Sequence, residues 1–195
     1  MIDKNDLLKT SDEELVKLSL ADQNNFLYLV DRYKGPLLGY IRRLTNINQE
    51  DAEDILQEIF IKVYLNLNGF NNDLKFSSWI YRIAHNQVIS NHRKLKARPE
   101  GYKVNIDETV TRNLAADINI EDQADLGILK NNIFKILNKL DKKYREVLIL
   151  KFLEEKNYKE ISDIIKKPAG TVASTINKAK KEFRKEMIKQ GLILS

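Results

Sequence analysis

One stretch of the chain, residues 76–98, most strongly restricts the structures that this sequence can form. Its apolar residues recur at intervals of three and four, the period of an α-helix with one buried face: Phe76, Ile80, Ile83, Ala84 and Val88. From Arg82 to Arg98 the stretch holds five basic residues and no aspartate or glutamate. Such a helix suits a nucleic acid, because cations bind phosphates while aromatic rings and amides hold unstacked bases. A core helix with a solvated basic end explains the same residues equally well.

The rest of the chain also favours helices. Glycine occurs seven times and proline three times in 195 residues, and leucine, isoleucine, lysine and glutamate are abundant. Helical periodicity is lost over residues 99–123, where acids greatly outnumber bases. We therefore expect an all-α protein of two small helical domains, residues 1–98 and 124–195, joined by a flexible acidic linker at residues 99–123.

Several classes of function are disfavoured by composition and spacing. The chain has no cysteine, which excludes disulfides and thiol nucleophiles and fits a cytoplasmic location. No apolar run is long enough for membrane insertion. His85 and His92 lack an evident third metal ligand, and neither a poised acid–base pair nor a glycine-rich phosphate loop is visible. We predict no catalytic residue, no metal ion and no cofactor, and thus not an enzyme. The net charge of +5 weakly favours an anionic partner.

The helix expected from about Gln49 to Asn66 begins with a cluster of acids. Acidic residues near a helix N-terminus complement the helix dipole, which explains the first turn. That effect explains Gln57 and Glu58 less well, because they lie further along the helix. An exposed acidic patch on a basic protein therefore suggests a surface for a protein partner.

The loop at residues 69–75 consists of turn-forming residues and a single aromatic residue, Phe70. A polar loop beside an aromatic and basic helix could hold an extruded base against that ring. The alternative is that Phe70 fills the core.

The C-terminal part has the form of a helix-turn-helix. A short helix from Lys159 to Ile165 is followed by a turn at residues 166–168 and a second helix that begins near Gly170. The outer face of the second helix carries side chains able to reach base edges and phosphates in a major groove: Thr171, Ser174, Asn177, Lys178 and Lys181. A plain helical hairpin is the alternative.

Four segments together resemble bacterial RNA polymerase sigma factors of the extracytoplasmic-function (ECF) group. They are DAEDILQEIFIKVY at residues 51–64, FSSWIYRIAHN at 76–86, YKEI at 158–161 and PAGTVAS at 168–174. The resemblance implies a first domain, similar to sigma region two, that binds core polymerase and the minus-ten element. It also implies a second domain, similar to sigma region four, that binds the minus-thirty-five element.

The resemblance also implies roles for residues of the first domain. Core polymerase would be contacted by Asp51, Asp54, Gln57 and Glu58. The single-stranded minus-ten element would be bound by a flipped-base pocket of Phe70, Asn71, Asn72 and Asn86, by phosphate contacts of Arg82, Arg93 and Lys94, and by the adjoining Lys75 and Trp79.

In the second domain, Lys151, Tyr158 and Lys159 would contact the backbone of the minus-thirty-five duplex. Its groove would be faced by Thr171, Ser174, Asn177 and Lys178, and Lys181 would also bind this element. The family further implies an anti-sigma factor as a partner. Two alternatives remain at this point: a helix-turn-helix repressor or activator that binds duplex DNA alone, and a helical adaptor without a nucleic-acid role.

Overall fold

The structure is a computed structural model that describes residues 10–71, 73–95 and 126–192, with the backbone alone at 92–95 and 126–131. Contacts divide the described residues into two compact units, of which the first holds residues 10–71 and 73–95 and the second holds most of residues 126–192. All regular elements within the described ranges are helical. The predicted all-α, two-domain architecture is thereby confirmed, while the linker at residues 99–123 lies outside the described residues.

Four α-helices build the first unit. They are α1 (Asp12–Ala21), α2 (Phe26–Thr45), α3 (Gln49–Leu65) and α4 (Phe76–Leu95), with 3-10 turns at Gln23–Asn25 and Leu67–Gly69. Helix α2 packs against α1, α3 and α4, and α3 packs against α4. The apolar stripes predicted from the sequence meet in one core, where Leu29, Tyr40, Ile59 and Ile80 are fully buried. Burial of these stripes supplies the main driving force for this unit.

The acids at the start of α1 bind the neighbouring helices. The Asp12 carboxylate accepts hydrogen bonds from Arg32 Nη1, at 2.6 Å, and from the Tyr33 hydroxyl. Burial and the adjacent Asp12 carboxylate both raise the pKa of Tyr33, because each disfavours the phenolate. Glu13 Oε1 accepts a hydrogen bond from the backbone N–H of Phe76 at 3.1 Å. Helix α1 is therefore tied to both α2 and α4 by charge-assisted hydrogen bonds.

The second unit contains α5 (Leu126–Lys139), α6 (Lys142–Leu148), a π-helical segment (Ile149–Leu153), α7 (Tyr158–Ile165) and α8 (Ala169–Lys189). Helix α8 packs against α6 and α5. Arg145 donates from Nε to the Leu137 carbonyl at 3.0 Å and from Nη2 to the Asn138 carbonyl at 3.1 Å. The Leu137 carbonyl also accepts from the Leu140 N–H at 3.2 Å, so Arg145 adds side-chain bonds to carbonyls at the end of α5. Burial lowers the pKa of Arg145.

The helix-turn-helix segment has sharply defined ends. Helix α7 begins with a capping box in which Asn157 Oδ1 accepts from the Glu160 N–H and Glu160 Oε2 accepts from the Asn157 N–H, both at 2.9 Å. It ends at Ile165, and the next residue, Lys166, caps it with a φ of 54° in the left-handed region. Ser162 Oγ donates to the Lys167 carbonyl at 2.6 Å and closes the turn. The short helix, turn and second helix therefore lie where the sequence predicted them, within one residue.

Candidate functional site

The acidic residues of α3 do not form one uniform surface. Asp51 belongs to the start of the helix, because Asn48 Oδ1 accepts from the Asp51 N–H at 2.8 Å and Asn48 Nδ2 donates to Asp51 Oδ2 at 3.0 Å. Asp54 and Gln57 are exposed and lie one turn apart. Of the four residues predicted to meet a protein partner, Asp51 is thus already engaged in capping, whereas Asp54 and Gln57 present their side chains to solvent.

Glu58 has an exposed side chain that also contacts α4. Its Oε2 accepts hydrogen bonds from Gln87 Nε2 and, at 3.0 Å, from Asn91 Nδ2. Gln87 in turn accepts from Lys62 Nζ through its Oε1. The predicted partner surface is therefore joined to α4 through residues that the sequence analysis did not single out, Lys62 and Gln87.

Apolar side chains continue the same face of α3 beyond Glu58. Ile61 is 59% exposed and Leu65 is 72% exposed, and they follow Asp54 by seven and eleven residues. Leu65 also lines an open groove of about 590 Å³ that extends to Leu20 in α1 and to Gln23 in the 3-10 turn after it. The exposure of Ile61 and Leu65 was not predicted. The signal in the sequence is the adjacent apolar pair Phe60–Ile61, whose members cannot both lie on one buried helix face.

Phe70 belongs to an aromatic cluster. Its ring centroid lies 5.4 Å from that of Phe76 and 5.4 Å from that of Trp79, and Phe76 contacts Tyr33 edge-on at 5.5 Å. Phe76 is fully buried and Trp79 is 7% exposed, while Phe70 is only half-buried. Phe70 is therefore more exposed than Phe76 and Trp79, and the buried Trp79 ring packs against it at an angle of 60°.

The loop after Phe70 is a hydrogen-bonded turn. Asn71 Oδ1 accepts from the Asp73 N–H at 2.9 Å, and the Asn71 carbonyl accepts from the Leu74 N–H at 3.1 Å. Asn71 and Lys75 are exposed at its two ends. Asn72 lies outside the described residues.

The outer face of α4 carries Arg82, which is half-buried, and Asn86, which is exposed. These residues are four apart and so lie on one side of the helix. Ser90 Oγ donates to the backbone carbonyl of Asn86 at 2.9 Å. This bond does not involve the side-chain amide of Asn86. The side chains of the predicted phosphate ligands Arg93 and Lys94 lie outside the described residues.

At the start of α7, a lysine and a tyrosine share one surface. Lys151 Nζ lies 5.3 Å from the centroid of the Tyr158 ring, which is a cation–π arrangement. Tyr158 and Lys159 are exposed. The three residues predicted to contact a duplex backbone therefore offer two cations and a hydroxyl at the entrance to the helix-turn-helix.

Helix α8 separates its buried and exposed residues cleanly. The buried stripe consists of Val172, Ile176, Ala179, Phe183 and Met187. The five predicted groove-facing residues are all exposed: Thr171, Ser174, Asn177, Lys178 and Lys181. The Thr171 carbonyl accepts from Ser174 Oγ at 3.0 Å, so the serine oxygen keeps lone pairs that can accept from a base. The face combines hydroxyl, amide and ammonium groups, the types that read base edges and bind phosphates.

The described residues include no group of three or more metal-binding side chains, and no described helix is long and apolar enough to span a membrane. His85 is buried in the first unit, with its Nδ1 3.3 Å from the Tyr40 hydroxyl oxygen. This histidine has the environment of a core residue.

Comparison with known protein families gives two matches. The family Sigma-70 region 2 matches residues 29–98, and the family Sigma-70, region 4 matches residues 130–183. Together the two ranges cover more than half of the chain.

Curated relatives match over nearly their full length. The ECF RNA polymerase sigma factor SigW of Bacillus subtilis is 35% identical over 181 residues, which span 90% of this chain and 95% of that protein. The RNA polymerase sigma-H factor of Pseudomonas aeruginosa is 30% identical over 187 residues, which span 93% and 96%.

Two solved structures share the fold. One is CnrH in complex with the cytosolic domain of CnrY, with a TM-score of 0.65 and 22% identity over 91% of this chain and 97% of that one. The other is the sigma factor RpoE in complex with the anti-sigma factor NepR from Bartonella quintana. It has a TM-score of 0.62 and 19% identity over 85% of this chain and 97% of that one.

Proposed function

Because the chain belongs to the ECF group of RNA polymerase sigma factors, we propose that its two units divide promoter recognition between them. The chain binds core polymerase, recognises promoter DNA and promotes strand opening for transcription initiation. Within that role, residues 1–98 would bind polymerase and the minus-ten element, residues 124–195 would bind the minus-thirty-five element, and residues 99–123 would link them. The protein would act in the cytoplasm, where the polymerase works.

The exposed part of α3 is the proposed surface for core polymerase. Asp54, Gln57 and Glu58 offer two carboxylates and an amide on one side of the helix, and they suit a partner surface with basic side chains. Asp51 would contribute through the start of the helix, since its carboxylate is hydrogen-bonded to Asn48.

The minus-ten surface is proposed to capture a single strand. Phe70 would stack on a flipped base while Asn71, Asn72 and Asn86 bind its polar edge. Arg82, Arg93, Lys94 and Lys75 would hold nearby phosphates, and Trp79 would support the Phe70 ring from below. Opening would then be driven by binding energy, because stacking and hydrogen bonds to the flipped base offset the loss of base stacking in the duplex. We propose that the chain itself performs no covalent chemistry.

The minus-thirty-five surface is proposed to bind duplex DNA. Helix α8 would enter the major groove with Thr171, Ser174, Asn177 and Lys178, and Lys181 would reach a phosphate. Lys151, Tyr158 and Lys159 would contact the sugar–phosphate backbone beside it. The polar face of α8, exposed above a fully apolar buried stripe, is the observation that carries this part of the proposal.

We also propose an anti-sigma partner. The RpoE structure holds the anti-sigma factor NepR, and this chain shares its fold. Exposed Ile61 and Leu65 beside acidic side chains would suit a partner that competes with polymerase for α3.

Promoter melting tests the proposed function. The full chain is mixed with bacterial core polymerase and a pool of promoter fragments, and permanganate-reactive thymines are mapped. We expect discrete melted sites that need the chain, and we expect Gln57→Ala with Glu58→Ala to weaken them. Gln49→Ala is the matched control, because Gln49 lies on the same helix and pairs only with Glu53 among the described residues.

Two results would contradict the function. Duplex footprints that form without polymerase, and without melting, would indicate an ordinary helix-turn-helix repressor or activator. The absence of any salt-dependent DNA binding, with or without polymerase, would indicate a helical adaptor.

A further inference from the structure

A row of hydrogen bonds crosses the seam between α3 and α4, and Gln87 lies at its centre. The Gln87 amide accepts from Lys62 Nζ through Oε1 and donates from Nε2 to Glu58 Oε2. Asn91, one turn further along α4, donates to the same carboxylate oxygen at 3.0 Å. Gln87 is only 5% exposed, whereas Glu58 and Lys62 are exposed. A buried amide therefore holds two solvent-facing charges of opposite sign.

A primary amide is suited to this position, because it offers an acceptor on one side and donors on the other. Lys62 bound to the carbonyl oxygen determines which way the amide faces, so the NH₂ group is directed at Glu58. Each bond to a charged group is stronger than a neutral hydrogen bond, and neighbouring bonds in such a row reinforce one another.

The hydrogen bonds from α4 restrain the Glu58 carboxylate through only one of its two oxygens. Both hydrogen bonds from α4 go to Oε2, and Oε1 makes none with the parts of the chain that the structure describes. Asp54 and Gln57, on the same face, have no such restraint from described residues. Within the described part of the chain, Glu58 is thus the member of this trio whose carboxylate is held by side chains of another helix, and both bonds go to the same oxygen.

We propose that Gln87, oriented by Lys62, is a positioning residue that sets the Glu58 carboxylate for docking on core polymerase. This inference rests on the proposed function and extends it to Gln87 on α4 and Lys62 on α3, which would act through Glu58. Holding a flexible glutamate in one orientation before binding removes part of the entropy loss of association.

The test is the affinity of the full chain for core polymerase, measured by fluorescence anisotropy with the melting temperature recorded for every variant. We expect Gln87→Met to weaken binding about 3- to 10-fold, the value of one immobilised side chain. Gln49→Met is the matched control, since it removes a Gln–Glu bond of 2.7 Å that lies within α3 alone. It should change the affinity less than about 2-fold.

Double mutants separate positioning from general damage to the fold. In a Glu58→Ala background, Gln87→Met should cause no further loss, because it acts through Glu58. In an Asp54→Ala background it should cause its full loss. An equal loss in both backgrounds, or no loss in the wild-type background, would overturn the inference.

Lys62→Met provides a second route should Gln87→Met fold poorly, because Lys62 is exposed. We expect a loss of about 2- to 5-fold that disappears in the Glu58→Ala background. A loss that persists there would overturn the inference. Failure of the wild-type chain to bind polymerase would instead overturn the proposed function, so the two failures are distinguishable.

Discussion

The carboxylate of Glu13 in α1 accepts a hydrogen bond from the backbone N–H of Phe76, the first residue of α4, at 3.1 Å. Side-chain acceptors at helix N-termini satisfy N–H groups that have no partner within the helix. Here the acceptor comes from a different helix, 63 residues away. The proposed base-binding helix therefore depends on the N-terminal helix for the order of its first turn.

Glu13→Ala should destabilise the first unit by about 1 kcal/mol, the usual cost of losing a helix cap. Glu13→Gln keeps an acceptor and should cost less than half of that. Urea denaturation of the full chain measures both. Glu14→Ala is the control, because Glu14 pairs with Lys17 in an exposed contact of 3.2 Å that contributes little. Equal effects of Glu13→Ala and Glu14→Ala would contradict the capping role.

Because the pKa of Tyr33 is raised in the folded protein, we expect the free energy of unfolding to depend on pH in the alkaline range. Its pKa in the folded protein is raised above the ordinary value of 10.0 by burial and by Asp12. Above pH 10 the unfolded chain therefore loses the phenol proton while the folded chain keeps it, so the free energy of unfolding falls as pH rises. Below that pH the residue contributes no slope. Tyr33→Phe should make the free energy of unfolding between pH 9 and pH 11 less dependent on pH. An unchanged slope would show that Tyr33 is not responsible.

Phe70→Ala should reduce promoter opening about 5- to 100-fold, the value of one base stacked on an aromatic ring. The cost to stability should be about 2 kcal/mol, because Phe70 is only half-buried. Permanganate reactivity and thermal unfolding give the two quantities. Phe60→Ala is the matched control, since Phe60 is also half-buried and contacts Phe26 edge-on at 6.5 Å. A similar loss of opening in both variants would rule out a specific role for Phe70.

Trp79→Ala should lower the stability of the first unit, and promoter opening should fall as a consequence. Trp79 is almost fully buried beneath Phe70, and its removal should cost about 3 to 5 kcal/mol. Melting temperature and promoter opening should fall together. A Trp79→Ala protein of normal stability that fails to open promoters would instead place the indole in direct contact with DNA.

Lys181→Ala should weaken promoter binding by the holoenzyme about equally across upstream sequences, and should lower the slope of log K against log salt by about 1. Lys185→Ala is the control, because Lys185 Nζ is paired with Glu182 at 2.7 Å. Binding is measured at several salt concentrations on two different upstream elements. An unchanged salt slope would remove Lys181 from the proposed phosphate contacts.

Local features could be predicted from the sequence because their causes are local. The period of apolar residues positions α3 and α4, and the run from Tyr158 to Gly170 predicts a short helix, a turn and a second helix. The family resemblance, which depends on those same segments, is confirmed by the two family matches. The exposure of the five predicted residues on α8 also follows from helical period alone.

Contacts between helices could not be predicted in the same way. Nothing in the spacing of Glu58 and Gln87, which are 29 residues apart, indicates that they share a hydrogen bond. Phe70 shows the limit most clearly, because the sequence allowed either a core residue or a base ligand. In the structure it is half-buried and packs on Phe76 and Trp79, which is compatible with both. Its role as a base ligand stays a prediction, as do the roles of the other site residues.

Lys166, in the turn of the helix-turn-helix, has a left-handed backbone conformation, and this conformation affects how stable the turn is. A side chain in this conformation costs roughly 1 kcal/mol that glycine would avoid, although glycine also gives the unfolded chain more freedom. The turn is thus held somewhat below its attainable stability at a position that carries none of the proposed groove contacts. A substitution at Lys166 would therefore change the stability of the turn without changing the side chains that α8 is proposed to present to DNA.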